Sequence, residues 1–295
     1  MSHPLDKTAS QEYNNTGKVP EEKGMCRNVK QTVEDPAASD ITPRVTCNFF
    51  SEGELRRETV TVPGEMALTI FINGRETVTV LCTPDRLVHL VLGFLYAEGI
   101  IDDMSGIASM RVCEDEPIAD VRLTGTDYTE PPRRTLTSGC GSVTGSAIPA
   151  QRVESDLTIT PEEILALMQQ LYQQQSLFQA GGGIHSSALC DRQQILVMAE
   201  DIGRHNTLDK IMGECLMKKI PTRDAILLTT GRLSSEMLLK AARMGAPVVV
   251  SRGSPTERAV SLGKELGITV IGYARGSRLS VFSGEDRLRL ASHPV

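Results

Sequence analysis

The sequence predicts an α/β protein, a large sheet with flanking helices preceded by a smaller strand-rich region. Two observations carry this. In the second half, four short apolar runs each end in a loop containing glycine and arginine. These are Ile195–Ala199 before Glu200-Asp-Ile-Gly-Arg-His-Asn206, and Ala225–Leu228 before Thr229-Thr-Gly-Arg232. Val248–Val250 then precedes Ser251-Arg-Gly-Ser-Pro255, and Thr269–Gly272 precedes Tyr273-Ala-Arg-Gly-Ser-Arg278. Segments of helical periodicity fill the gaps, as strands joined by helices in a mainly parallel sheet require. Between Arg44 and Thr124, by contrast, alternation at period two dominates.

In chain order, residues 1–41 are polar with few large apolar side chains and read as a mobile tail. A strand-rich region spans 42–150. Arg57–Val62 alternates, and Ala67–Ile72 and Glu76–Leu81 flank Asn73-Gly74, a hairpin signal. A helix follows, with Thr83 as cap, Pro84 at its first position, Leu87, Leu90, Val91, Phe94 and Leu95 on its apolar face, and Gly99 as stop. Residues 125–150, rich in Gly, Thr, Ser and Pro, read as a long exposed loop. The α/β region, 151–295, begins with a helix from about Pro161 to Gln175 behind a Thr160/Glu163 capping box. Gly181-Gly-Gly-Ile-His185 then turns into a strand from Ser186 to Cys190, and Asp191-Arg192 turns it back. Helical faces follow around Leu208, Ile211 and Met212, and around Met237 and Leu238 up to Gly245. The last helix opens at Ser254-Pro255 and closes at Gly267.

Composition narrows the function. A net charge of −6 argues against a nucleic-acid polymer as partner. No run of eighteen apolar residues and no signal peptide are seen, so no membrane association and a cytoplasmic location are expected. The seven cysteines contain no Cys-x-x-Cys pair and read as thiols, most of them buried and inert. Cys140 differs. It lies in Thr137-Ser-Gly-Cys-Gly-Ser142, flanked by glycines that leave the sulfur uncovered. Arg133 and Arg134 upstream favour its thiolate, the nucleophilic form.

Ligands of such sheets bind beyond the carboxyl ends of the strands. If the four loops share that edge, Arg204, Arg232, Arg252, Arg275 and Arg278 converge there, which suits a large anion. His205 and Asn206, at a helix start, would add donors to helix amides, and His185 lies near the same edge. Glu200-Asp201 could bind a cation or a guanine edge, although capping and solvation explain them as well. Glu236 at a helix start is explained by the helix dipole. Neither a phosphate-loop nor a dinucleotide glycine fingerprint occurs, and no zinc-ligand spacing is present.

These segments resemble the formate dehydrogenase accessory sulfurtransferase family, FdhD. The matching stretches include Ser138-Gly-Cys-Gly141, Gly182-Gly-Ile-His185, Glu200 to Lys210, Thr230 to Glu236, Lys240-Ala-Ala242, Ser254-Pro-Thr256 and Gly272-Tyr-Ala-Arg275. The resemblance implies a cytidine-deaminase-like mixed sheet without zinc, and a homodimer. It implies a sulfurtransferase that takes sulfur from a cysteine desulfurase as a persulfide on Cys140. The sulfur would pass to the molybdenum bis(molybdopterin guanine dinucleotide) cofactor destined for formate dehydrogenase, with GDP as a partial mimic of that cofactor. Tyr273, Ala274, Arg275, Gly276, Ser277 and Arg278 fall on the stretch the family assigns to cofactor binding. Many members carry Cys-x-x-Cys at the loop, whereas this chain has Cys140-Gly-Ser-Val143, so no relay between two thiols is available there. A non-catalytic chaperone that only holds the cofactor is the alternative. A zinc deaminase lacks its His-x-Glu and Pro-Cys-x-x-Cys signature here.

Overall fold

Alternation at period two splits the apolar runs of the second half between two layers. Ile226, Leu228, Val248 and Val250 pack on one side of the sheet, while Leu227, Val249 and Val270 pack on the other. The structure is a computed structural model that describes residues 26–28, 41–113, 117–125 and 151–290.

A first sheet has the order β1-β6-β7-β4-β5. Its strands are β1 (Cys26–Asn28), β4 (Met66–Ile72), β5 (Arg75–Cys82), β6 (Ile107–Cys113) and β7 (Ile118–Leu123). β1, inside the segment read as a tail, pairs antiparallel with β6. Asn73 and Gly74 form the predicted two-residue turn between β4 and β5, both at positive φ (51° and 81°). One further pair, β2 (Arg44–Ser51) and β3 (Glu54–Thr61), forms a separate two-stranded ribbon.

The second sheet has the order β13-β12-β11-β10-β8-β9. Its strands are β8 (His185–Cys190), β9 (Ile195–Asp201), β10 (Ile226–Thr229), β11 (Val248–Ser251), β12 (Thr269–Arg275) and β13 (Arg278–Ser283). Only β10, β11 and β12 are mutually parallel neighbours. The mainly parallel sheet read from the runs is therefore corrected to a mixed one, in line with the α/β mixed-sheet class. β8 is antiparallel to both β9 and β10, so β9 still points the same way as the other three runs. All four arginine loops accordingly leave one edge.

Helix α2 (Pro161–Gln174) covers one face, opening on the predicted capping box with both of its hydrogen bonds. A short α3 (Ser176–Gly181) follows it. Helices α4 (Arg204–Lys218), α5 (Ser235–Met244) and α6 (Glu257–Leu266) cover the other face. The first sheet packs on α1 (Leu87–Ala97), which crosses α4. Thr83 does not cap α1: the helix begins at Leu87, with Arg86 before it in the left-handed region. Arg86 is drawn instead to Glu214 (2.6 Å) and the Met198 carbonyl (2.6 Å). The last helix is capped by Thr256 rather than by Ser254.

The crossing of α1 and α4 is a backbone-to-backbone contact that only glycine permits. A Cβ on Gly93 would lie 1.7 Å from the Asp209 carbonyl oxygen, and one on Gly213 would lie 1.9 Å from that of His89. Gly93→Ala should therefore destabilise the protein by about 3 kcal/mol or more, beyond ordinary overpacking, because rigid backbone must part. Urea unfolding would read this, and a change under about 0.5 kcal/mol would show that the helices are not in such contact.

Candidate functional site

The four loops beyond β9, β10, β11 and β12 are stitched together by short-range hydrogen bonds. His205 Nε2 lies 3.1 Å from Ser234 Oγ, linking the first loop to the second. The Ser251 hydroxyl donates to the Gly231 carbonyl (2.5 Å) and accepts from the Gly253 amide (2.8 Å). The Arg252 amide donates to Thr229 (3.1 Å), and the Leu233 amide donates to Ser254 (3.1 Å). The Tyr273 amide reaches the Gly253 carbonyl (2.9 Å), joining the third loop to the fourth. The edge is thus built before any ligand arrives, so binding would cost little loop ordering.

Five guanidiniums stand on this edge. Arg204 opens α4, and a Cβ on Gly231 would meet the Arg204 side chain at 2.9 Å and His185 Nδ1 at 3.5 Å. Arg232 lies beside Gly253. Arg252 sits over the ring of Tyr172, 5.9 Å from its centroid, a cation–π contact. Arg275 and Arg278 face each other across the Gly276-Ser277 turn of the β12–β13 hairpin. Like charges directly opposite on adjacent strands repel, and a bound anion would relieve that. With Tyr273, Leu279 and Ser280 these two arginines line an open cavity of about 280 Å³. None of the five makes an ion pair among the described residues. Arg86, Arg122, Arg192 and Arg243 elsewhere are matched to carboxylates. The Arg204 Nε is buried with no hydrogen-bond partner among the described residues. From β9 to β12 the edge spans four strand spacings, roughly 19 Å, which suits an elongated anion.

Two predicted members play other parts. Ala274 is 1% exposed and belongs to the buried core rather than to the cavity lining. His205 is 2% exposed and is not the open donor expected at a helix start. Its Nε2 also lies 3.3 Å from Glu236. Burial, then Lys240, Arg204 and His185, hold this imidazole far below its usual range, down to about 3. It is therefore neutral at physiological pH, and the contact with Glu236 is a hydrogen bond rather than an ion pair. Glu236, read as serving the helix dipole, has this second role. His185 is half-buried and is likewise held below its usual range, by burial and by Arg204.

Between its folded value near 3 and its ordinary 6.5, His205 binds a proton only in the unfolded chain. Stability should therefore be full above about 6.5 and be lost as the pH falls toward 3. Wild type should lose more stability between about pH 7.5 and pH 5 than His205→Gln, by on the order of 1–2 kcal/mol after allowance for relaxation. Equal losses, read by urea midpoints, would mean that His205 is not neutral and buried.

Glu200 and Asp201 are neither solvated nor open to a ligand. Glu200 is 6% exposed and accepts the Leu177 (2.9 Å) and Phe178 (3.2 Å) amides that open α3. Asp201 is fully buried, paired with Lys210 at 2.7 Å, and accepts from the Thr83 amide (3.1 Å), the Gly203 amide (2.8 Å) and Asn206 Nδ2 (2.8 Å). Asn206 also donates to the Leu81 carbonyl (2.8 Å). The most distinctive stretch of the sequence thus clamps the β5–α1 connection onto the ligand edge. A second buried pair, Lys240 with Asp209, ties α5 to α4. Sequence reasoning missed Thr83 and Lys240 as parts of this framework, since nothing local signals partners so far along the chain.

Cys140 and the whole predicted loop from 126 lie outside the described residues. Three other thiols, Cys82, Cys190 and Cys215, are pushed up to about 12, chiefly by burial, and are unreactive.

Against this geometry, comparison with known proteins is decisive. The model of the FdhD/NarQ family matches residues 63–289. The chain belongs to the FdhD/NarQ family. Within it, the sulfur carrier protein FdhD of Bacillus licheniformis is 37% identical over 253 residues, covering 82% of this chain and 95% of that protein. The protein of the same name from Halalkalibacterium halodurans is 40% identical over 237 residues, covering 77% and 88%. A crystal structure assigned as a formate dehydrogenase accessory protein from Desulfotalea psychrophila superposes with a TM-score of 0.70. It is 25% identical and covers 84% of this chain and all of its own. The FdhD/NarQ match spans the second sheet, the first sheet apart from β1, and all four arginine loops, and β1, β2 and β3 lie ahead of it. Among the described residues, no helix is long and apolar enough to cross a membrane.

Proposed function

We propose that this protein carries sulfur on Cys140 from a cysteine desulfurase to the molybdenum bis(molybdopterin guanine dinucleotide) cofactor, held as substrate at the arginine edge, for use by formate dehydrogenase. The observation that carries this is the set of five guanidiniums on one prebuilt edge, none with a carboxylate partner among the described residues. A long ligand with two pyrophosphates matches their number and spread. The relatives' name, sulfur carrier, supports the sulfur role. In loading, the Cys140 thiolate attacks the terminal sulfur of the donor's persulfide. The donor S–S bond breaks, a new one forms on Cys140, and the donor leaves as thiolate. In delivery, the new S–S bond breaks, Cys140 keeps its electrons as thiolate, and the sulfur takes two electrons from the reduced metal.

Intact-mass spectrometry after incubation with a cysteine desulfurase and cysteine tests loading. The protein should gain the mass of one sulfur atom, removable by reductant and absent in Cys140→Ala. The replacement of a second loop cysteine by Val143 favours the other reading, a chaperone that binds cofactor without carrying sulfur. Unmodified protein in this assay would establish that reading instead.

Binding at the edge has its own test. Arg275→Ala should weaken GDP binding by roughly ten- to a hundredfold, the loss of one charge-assisted hydrogen bond of about 1.5–3 kcal/mol. Calorimetric titration reads it, and equal affinities would move the nucleotide site away from the hairpin.

A further inference from the structure

We propose that His185 handles the proton in sulfur delivery, and that the corner it shares with Arg204 and Arg232 receives the metal end of the cofactor. This rests on the proposed roles of Cys140 and of the arginine edge. His185 is the first residue of β8, which runs antiparallel to β9 and β10. It therefore lies at the carboxyl ends of those two strands, between the loops that carry Arg204 and Arg232. Gly182 and Gly183, both at positive φ (66° and 64°), turn the chain from α3 into this position. Side chains alternate along a strand, so His185 shares a face with Ser187 and Leu189. Ser187 Oγ lies 2.6 Å from Thr207 Oγ1 of α4, and Leu189 belongs to the cluster under α4 and α5. The imidazole is thus on the side of Arg204. Gly231 keeps the floor of the corner open, since a Cβ there would meet Arg204 Cβ at 2.9 Å and His185 Nδ1 at 3.5 Å.

Among the described residues neither ring nitrogen of His185 has a hydrogen-bond partner, and neither is sealed from solvent. Both are left for a ligand. The charged and titratable groups facing this ring are Asp201 at the end of β9, Arg204 and His205 of α4, and Arg232 of the second loop. Burial, then Arg204, hold it below its usual 6.5 against the opposite pull of Asp201, so it is neutral and able to take a proton. The arginines cannot do this, because guanidiniums stay protonated in proteins. His205 is sealed and held by Ser234 and Glu236. The hairpin cavity of Tyr273, Arg275 and Arg278 has no histidine in its lining, and β12 lies three strand spacings from β8, roughly 14 Å. That separation gives the nucleotide one end of the edge and the reacting atoms the other.

Delivery moves a proton as well as a sulfur. A persulfide that arrives as Cys140–S–S–H must lose its terminal hydrogen as the sulfur is handed on. His185 takes that proton, the S–S electron pair stays on the Cys140 sulfur, and the transferred sulfur takes two electrons from the reduced metal. Arg204 and Arg232 stabilise the thiolate as it forms. The imidazolium, set between two guanidiniums, is a readier acid than free histidine and gives its proton to that thiolate. The persulfide has become a thiol, the metal has gained the sulfur atom, and His185 is neutral again.

Mass spectrometry of quenched samples reads the two steps apart. The protein is first loaded by a cysteine desulfurase with cysteine, then mixed with reduced, sulfur-free cofactor. His185→Gln should load as wild type does, yet lose its extra sulfur about a hundredfold more slowly at neutral pH, the low end of general acid–base catalysis. The wild-type delivery rate should fall as the pH drops through a value below 6.5, and His185→Gln should lack that limb. Arg232 is exposed, so Arg232→Gln spares the fold, and losing this cation should move the limb to higher pH. Delivery by His185→Gln at the wild-type rate, or an acid limb that stays in place in both variants, would overturn the proposal. So would a loss of GDP affinity in His185→Gln, which would make His185 a nucleotide ligand instead. A wild type that never loads is read before cofactor is added, and it would remove the sulfur-carrier reading on which the proposal rests.

Discussion

Lys210→Met should lower the unfolding free energy by about 3–5 kcal/mol. The side chains of Lys210 and Asp201 are both fully buried, and their ion pair is 2.7 Å long. Lys210 also donates to the Thr83 and Glu200 carbonyls, both at 3.3 Å. Methionine keeps the volume and removes the charge. Asp201 would then be a carboxylate in the interior with only the Thr83 amide, the Gly203 amide and Asn206 to stabilise it. Two carbonyls would also lose a donor. The pair itself need not be a net gain over apolar residues, and the large cost comes from breaking it. Asp201→Asn in the Lys210→Met background should therefore recover part of the loss, a coupling that a double-mutant cycle in urea would read. A loss under about 1 kcal/mol, or strictly additive effects, would remove Asp201–Lys210 as the clamp between the first sheet and the ligand edge.

That clamp also marks how far the sequence could be read. The strands of the second sheet were legible because their apolar runs are short and end in glycine loops. The shared edge was legible too, since the chain returns by a helix before β10, β11 and β12. The place of β9 was not, because a run of residues shows where a strand is and not which strand lies beside it. Glu200 and Asp201 invited a solvent or ligand role because acidic residues usually sit outside. The Thr83 amide that Asp201 accepts is 118 residues away, and no local pattern points to it. His205 failed for a related reason. A helix start is normally open, but here Ser234 and Glu236, at the start of α5, close over it. Gly93 and Gly213 sit inside helices whose apolar periodicity hides them, and only the crossing of α1 and α4 shows why a side chain is excluded.

Cys140→Ala should abolish maturation of formate dehydrogenase in the host, with folding and GDP affinity unchanged. The Gly-Cys-Gly setting makes this thiol the one cysteine whose neighbours in sequence cannot cover it. Burial pushes Cys82, Cys190 and Cys215 up to about 12, so few of their thiols are ionised at neutral pH and they cannot substitute. Thermal melting and GDP titration of the variant separate chemistry from folding and from binding at the arginine edge. Full maturation by Cys140→Ala, with GDP still bound, would leave the edge as a holding site and end the case for sulfur transfer. The same maturation assay, with Cys140 intact, tests the loop's second position. Val143→Cys alone should be tolerated and add nothing, since one persulfide sulfur needs no resolving thiol. Maturation that appears only with Val143→Cys would instead show that a relay of two thiols is required and that this chain has lost it.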